Sequence, residues 1–278
     1  VIIRQSPAKV NLFLRVLRKR GDGYHDIISL MQKINLCDEM SFDLKGNEVK
    51  VACPGGLAPE NNNNIAFRAA ETILSDVSCN SGVEITIHKR IPIAAGLGGG
   101  SSNAATTLVV LNEMTGMKRS TDELMRMGAK LGADVPFFVF GKTALASGIG
   151  DRLKPVNDIP KLWFILVNPG FEVSTRDIYE KVRLGLTKGP IKYSIPRFVM
   201  MSHVAEWLSN DLERVTLPLY PVLSDIKRLL MVNGALGSLM SGSGPTVFGI
   251  FRNEADAERA ECGMKEARIG SVFRACSI

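Results

Sequence analysis

Between residues 92 and 103 the chain reads Pro92-Ile93-Ala94-Ala95-Gly96-Leu97-Gly98-Gly99-Gly100-Ser101-Ser102-Asn103. Glycines at 96, 98, 99 and 100 let backbone amides approach an anion with no Cβ in the way. A helix opening directly after them would add N–H groups outside its own ladder and a partial positive charge. Ser101 and Ser102 supply hydroxyls able to reach a phosphate or Mg2+. The chemistry this segment suits is phosphate binding, although taken alone the same glycines also serve a flexible turn. Two common nucleotide signatures do not fit. The dinucleotide fingerprint fails because Ser101 stands where its third glycine belongs after Gly96 and Gly98, and a Walker A loop ending at Gly141-Lys142-Thr143 has Pro136 in place of its first glycine.

Two other places carry polar residues in a pattern that could matter. In residues 7–16, Val10, Leu12, Leu14 and Val16 alternate with Lys9, Asn11, Phe13 and Arg15, so a strand there projects Lys9 and Asn11 together. Near the other end, Ser241-Gly242-Ser243-Gly244-Pro245-Thr246 forms a second glycine-bearing loop between strand-like runs, which by itself reads as a tight turn.

The elements that must position these residues follow from periodicity and capping signals. A β-rich opening contains the strand over 7–16, a turn at Gly21–Gly23, a strand over Ile27–Leu36 and a hairpin at Gly46-Asn47. A helix over about 64–74 follows, its Ile65, Ala66, Ala69, Ile73 and Leu74 on one stripe and the asparagine run supplying its cap. Val83, Ile85 and Ile87 mark a strand entering the glycine segment, and a helix over about 103–114 leaves it, closed by Gly116. Ser120 and Glu123 form a capping box for a helix that stops near Gly132, and Phe137–Phe140 reads as a buried strand or short helix. A boundary near 155–160 separates residues 1–155 from 156–278. The second part holds a strand at 162–167, a short helix from Ser174 or Thr175, helices near 197–209 and 221–232, the strands flanking 241–245, a helix near 254–267 and a last strand. That order describes an α+β sandwich.

Composition narrows the function classes. With 45% hydrophobic and 22% charged residues the chain has globular usage, and no apolar run approaches the roughly 18 residues of a membrane span. No secretory leader is evident from residue 1 onward, so a cytoplasmic location is expected, with no membrane partner. The cysteines at 37, 53, 79, 262 and 276 are odd in number and unclustered, as suits reduced thiols rather than a metal knuckle. A net charge of +6 favours anionic ligands, but its basic residues are scattered, and the short cluster Arg15, Arg18, Lys19, Arg20 reads as a solvated hairpin end rather than a nucleic-acid surface.

The three segments, PAKVNL at 7–12, the glycine segment at 92–103 and SGSGPT at 241–246, resemble in order the three motifs of the GHMP kinase superfamily. The likeness spans nearly the whole chain. Within that superfamily, PAKVNLFL, GDGYHDI, AGLGGGSSNAA and LGADVPFFV are similar to the branch that phosphorylates a diphosphocytidyl-methylerythritol in non-mevalonate isoprenoid synthesis. The resemblance implies a two-domain α+β fold: an N-terminal ATP-binding domain like the second domain of ribosomal protein S5 and a C-terminal ferredoxin-like α/β sandwich. It implies transfer of the ATP γ-phosphoryl group to a tertiary hydroxyl, with Mg2+ accompanying the nucleotide and no metal ligand assigned. It implies Lys9 and Asp134 as the catalytic pair, Pro92 to Ser102 at the ATP phosphates and Asn64 near the adenine. For the acceptor it implies Asn11 on the methylerythritol portion, Tyr24, His25 and Tyr179 around the cytosine, and Gly242, Ser243 and Gly244 closing over the acceptor or the phosphates. The partner expected is a small cytidine diphosphate derivative, the protein being a monomer or weak homodimer. Another small-molecule kinase of the superfamily, of mevalonate or homoserine type, and a non-catalytic sensor on the same fold are the alternatives.

Overall fold

The protein is described by a computed structural model covering residues 1–75, 82–182 and 200–278, the side chain of Met201 excepted. Residues 76–81 and 183–199 lie outside that description, as therefore do Cys79 and the start of the helix expected near 197. The chain falls into two compact units. One comprises Val1–Ala8, Leu36–Ile93 and Gly98–Lys142, and the other Lys9–Asn35, Ala94–Leu97 and Thr143–Ile278.

In the first unit, two long strands, β1 (Ile2–Lys19) and β2 (His25–Leu44), contribute only their outer portions. β3 (Val49–Ala52) and α1 (Ile65–Leu74) follow, then β4 (Val83–His88), α2 (Gly99–Met114), α3 (Thr121–Leu131) and α4 (Val135–Phe140). β4 pairs antiparallel with β2 and parallel with β3, so that Leu44 and Val49 both stand opposite Val83. The Gly46-Asn47 turn therefore does not close a hairpin: β4 inserts between the strands that the turn connects. Glycine still fits there, at φ +68°. The apolar register of β2 (Met40, Phe42) and β4 (Val83, Ile85, Ile87) packs with Ala66, Ala69, Ala70 and Ile73 of α1 and Ala104, Ala105, Leu108 and Leu111 of α2. The alanines let the two helices lie close. Each fully buried large side chain, Phe42 and Phe137 among them, contributes on the order of 1.5 to 3 kcal/mol.

The helix α2 begins at Gly99, four residues before the expected start, so the last two glycines lie inside its first turn. Ser120 and Glu123 close the expected capping box at α3, and the stretch after Asp134 is a helix rather than a strand, opened by Pro136.

In the second unit β2 pairs antiparallel with β5 (Ala144–Gly148), which pairs with β6 (Arg152–Pro155). Beyond β7 (Trp163–Asn168) come α5 (Thr175–Lys181), α6 (Met201–Glu206), β8 (Ser209–Asn210), α7 (Glu213–Leu219) and α8 (Val222–Val232). The chain ends with β9 (Gly237–Met240), β10 (Val247–Phe251), α9 (Glu254–Glu266) and β11 (Ser271–Cys276). Periodicity anticipates neither α7 nor the two-residue β8, which runs parallel to β1 at Phe13 and Leu14. Strands β7, β9, β10 and β11 form an antiparallel sheet in the order β11-β7-β10-β9. With helices before β9 and before β11, this is the β-α-β-β-α-β ferredoxin-like arrangement. Its core gathers Ile165, Val167, Val247 and Phe251 with Leu223, Ile226 and Leu230 of α8 and Ala257, Ala260 and Met264 of α9. Among the described residues no helix is long and apolar enough to cross a membrane, and the four described cysteines are free thiols.

Candidate active site

One residue from each of the three sequence motifs, Lys9, Gly96 and Ser241, meets the others within the second unit, at the carbonyl of Gly96. Lys9, 3% exposed on β1, donates from Nζ to Gly96 O at 2.9 Å and to Asn11 Oδ1 at 2.6 Å. Ser241 Oγ, at the end of β9, donates to the same Gly96 carbonyl at 2.9 Å. The Lys9 backbone N–H is bound to Leu97 O at 2.9 Å, and the Thr246 N–H to Ala95 O at 3.4 Å. An ammonium is thus fixed on its strand by one residue of its own motif and one of the glycine segment. Burial makes that arrangement obligatory, since a buried cation without acceptors costs several kcal/mol.

Asn11 is fixed in turn. Its Nδ2 donates to Ser29 Oγ at 2.8 Å, and that hydroxyl donates to Phe13 O at 2.7 Å, which leaves Asn11 Oδ1 aimed at Lys9. Sequence periodicity puts Lys9 and Asn11 on one face, as observed, but gives no hint of Ser29 beneath them. On the same strand face, the ring of Phe13 stacks on that of Trp207, centroids 4.6 Å apart, another contact the sequence does not announce.

The glycines at this junction are required by space as well as by backbone angle. Gly96 has φ +74°, and a Cβ there would stand 2.1 Å from the Ser241 carbonyl oxygen. Gly242, at φ +57°, passes so near that a Cβ would lie 3.3 Å from Gly96 O and 3.5 Å from Asn11 Oδ1. The 241–246 loop is held from behind by Asn210, whose buried Nδ2 donates to Met240 O at 2.8 Å and to Gly242 O at 2.7 Å. Ser243 Oγ lies 2.8 Å from Thr175 Oγ1 at the start of α5.

The aromatic residues occupy the same unit. His25 opens β2 and is 7% exposed; its ring centroid lies 5.3 Å from that of Tyr179 on α5, the planes tilted by 35°. A base stacked between two rings needs about 7 Å between them, twice the van der Waals separation, so no base fits between His25 and Tyr179. They form one wall instead. Tyr24 is 59% exposed, its N–H held by Asp22 Oδ1 at 3.1 Å. Burial, and after it the positive charge of Lys19, pushes the His25 imidazole below its ordinary pKa. At neutral pH its ring is uncharged, with one nitrogen to donate and one to accept. The hairpin tip is braced by ion pairs, Arg20 with Asp22 and both Arg18 and Arg20 with Asp26. Asp26 is held below the usual carboxylate range by Arg18 and, against some burial, by Arg20. Of the basic cluster expected to be a solvated hairpin end, Arg18 and Arg20 are paired in this way.

In the first unit, the start of α2 has the features an anion requires. Gly98 caps it at φ +70° and, being glycine, puts no side chain of its own on the first turn, and no acidic residue lies in that turn. The helical ladder starts with the Ser102 N–H on Gly98 O at 2.9 Å, so helix geometry leaves the N–H groups of Gly99 to Ser101 outside it. Gly100 is exposed, and Ser101 is half-buried. Ser102, by contrast, is fully buried with Oγ 2.8 Å from Ser6 Oγ, so of the two serines only Ser101 faces outward. Asn64 is the N-cap of α1. Its Oδ1 accepts from the Ala66 N–H at 3.0 Å, and its Nδ2 donates to Pro59 O at 2.7 Å and Cys53 Sγ at 3.7 Å. These bonds give Asn64 a structural job and leave one lone pair of Oδ1 for anything else. Asp134, half-buried, occupies the N-cap position of α4, but its carboxylate does not cap that helix. Among the described residues no cluster of three or more His, Cys, Asp or Glu side chains could hold a metal ion.

Residues 64–142 match the family described as GHMP kinases N terminal domain, and residues 200–269 match GHMP kinases C terminal. The chain is 59% identical over 273 residues, 98% of each sequence, to the 4-diphosphocytidyl-2-C-methyl-D-erythritol kinase of Syntrophus aciditrophicus (strain SB). It is 49% identical over 263 residues, 94% of each, to the enzyme of the same name from Pelobacter propionicus (strain DSM 2379 / NBRC 103807 / OttBd1). A crystal structure of 4-(cytidine 5'-diphospho)-2C-methyl-D-erythritol kinase superposes with a TM-score of 0.84 at 33% identity, covering 99% of both chains.

Proposed function

This chain belongs to the GHMP kinases, and on that premise we propose that it transfers the γ-phosphoryl group of ATP to the tertiary 2-hydroxyl of 4-diphosphocytidyl-2-C-methyl-D-erythritol, a step of non-mevalonate isoprenoid synthesis. The observation that carries the reading is the meeting of Lys9, Gly96 and Ser241 at one carbonyl. Phosphoryl transfer asks a protein mainly for positioning and for stabilisation of charge. Lys9, fixed by Asn11 and Gly96, supplies a cation that favours the forming alkoxide, which a tertiary alcohol needs because it is a weak nucleophile. Asp134 accepts the hydroxyl proton; its pairing with Lys9 rests on the motif match and on this chemistry.

The N–H groups of Gly99 to Ser101, which lie outside the ladder of α2, receive the ATP phosphates together with the Ser101 hydroxyl, residues 92–98 leading into them. Mg2+, when bound with the nucleotide, neutralises phosphate charge. It would be held by the phosphates and water, with the half-buried Ser101 hydroxyl in the same first turn. Cytosine stacks on Tyr179, with Tyr24 over its other face and the neutral His25 imidazole at its edge. Asn11 and the Gly242–Gly244 backbone border the methylerythritol. The protein acts in the cytoplasm on a small molecule.

A coupled assay of ATP consumption tests this directly, with the diphosphocytidyl substrate, mevalonate and homoserine offered separately. Turnover only with the first is the expected result. Turnover with mevalonate or homoserine and none with the first would reassign the acceptor.

A further inference from the structure

A carboxylate buried beside the glycine segment has no part in the mechanism above. Asp38, on β2 and 0% exposed, uses every lone pair it has. Its Oδ1 accepts from the backbone N–H of Arg90 at 2.8 Å and of Ile91 at 2.9 Å, the residues that lead into the glycine segment. Its Oδ2 accepts from Lys89 Nζ in a tight ion pair and from Asn103 Nδ2 at 3.0 Å, the latter on α2 just after the segment. The set is closed by Lys89 Nζ donating to Asn103 Oδ1 at 3.2 Å and Asn103 Nδ2 to Ser6 Oγ at 3.0 Å. The Lys89 ammonium lies against the first turn of α2: a Cβ on Gly99 would stand 3.3 Å from Nζ and 3.0 Å from Ile91 Cγ2.

A cation at a helix N-terminus is disfavoured by the helix dipole, and a buried ion pair is a poor source of stability compared with apolar packing. The arrangement makes sense as geometry. One carboxylate fastens the chain entering the glycine segment to the chain leaving it, and so sets the distance and orientation between the two. We propose that Asp38 is a positioning residue for nucleotide binding, holding the first turn of α2 where its N–H groups meet the ATP phosphates. The inference rests on the reading of that turn as the phosphate site.

Asp38→Asn is the test. The amide side chain can keep its oxygen for the Arg90 and Ile91 N–H groups but turns its nitrogen toward Lys89 and Asn103, so donors face donors. KM for ATP should rise about tenfold, the cost of one unsatisfied buried group, while KM for the acceptor stays unchanged. A second variant, Asp38→Asn with Asn103→Asp, moves the charge across the pair. The carboxylate introduced by Asn103→Asp then accepts from the amide introduced by Asp38→Asn, draws Lys89 Nζ onto itself and away from that amide, and accepts from a reversed Ser6 hydroxyl, so KM for ATP should fall back toward the wild-type value. A role confined to stability would be restored in melting temperature without this split between the two KM values. The inference fails if the folded single variant keeps its KM for ATP, if both KM values rise together, or if the exchanged pair does not restore KM or does not fold. If the single variant does not fold, the exchanged pair decides by the same criterion. Absence of ATP-dependent turnover in the unaltered protein is a different outcome, and removes the kinase reading instead.

Discussion

Replacing Gly96 by alanine isolates the contact on which the site depends. The new Cβ would stand 2.1 Å from the Ser241 carbonyl oxygen, where ordinary contact begins near 3.4 Å, so the segment must retreat by roughly 1 Å. The positive φ adds about 1 to 2 kcal/mol of backbone strain for any L side chain. The retreat carries with it the carbonyl that Lys9 Nζ and Ser241 Oγ both bind. A displacement of about 1 Å at a reacting group costs on the order of a hundredfold in rate. The variant should therefore lose roughly a hundredfold in kcat/KM in the coupled assay. Gly116→Ala provides the comparison: Gly116 has nearly the same φ, +67°, but nothing lies within 4 Å of its added Cβ. That variant should show the backbone strain as a fall in Tm of a few degrees, with kcat/KM unaltered. If Gly96→Ala lost no more activity than Gly116→Ala, the junction at the Gly96 carbonyl would have no catalytic importance and the reasoning would be refuted.

Asn11→Ala removes an acceptor from Lys9 and leaves the Ser29 hydroxyl without its donor; kcat should fall about ten- to hundredfold, and an unchanged kcat would show that Lys9 does not need that support. Asp134→Asn should abolish transfer while calorimetric titration with ATP gives an unaltered Kd, and a wild-type rate in this variant would remove Asp134 from the mechanism. His25 titrates below the ordinary imidazole value, so the unfolded chain takes up the proton more readily than the folded one. Stability from its burial is complete above the ordinary value and is lost as pH falls through the depressed one. Acceptor KM should rise over the same acidic window in the native enzyme and not in His25→Gln; a flat profile in both would exclude a neutral imidazole at the base edge.

Much of this arrangement is legible in residue order. Period-two alternation puts Lys9 and Asn11 on one face, the capping box locates α3, and Asn64 is recognisable as a cap. The start of α2 lies earlier than expected because glycine has low helix propensity, and here backbone amides left open at the first turn matter more than propensity. The Gly46-Asn47 hairpin does not form because turn chemistry records a reversal of direction and not which strand will fill the gap; β4 arrives from later in the chain to fill it. Asp38 leaves a trace in the sequence. Ile34, Leu36, Asp38, Met40 and Phe42 share one register of β2, all buried, and an acidic residue in an inward register demands partners. Ser29 and Asn210 leave none, since short polar residues occur in any buried strand and their partners are far away in the chain.

The carbonyl shared by Lys9 and Ser241 joins residues 87 and 145 positions apart in sequence. Closing loops of that size has an entropic cost that must be met before the contact rewards it, and contacts of such range form late in folding. Recovery of catalysis after dilution from denaturant therefore serves as a clock for the final ordering step of the second unit, and should lag behind the return of helical circular dichroism, which local segments such as α3 and α9 supply early.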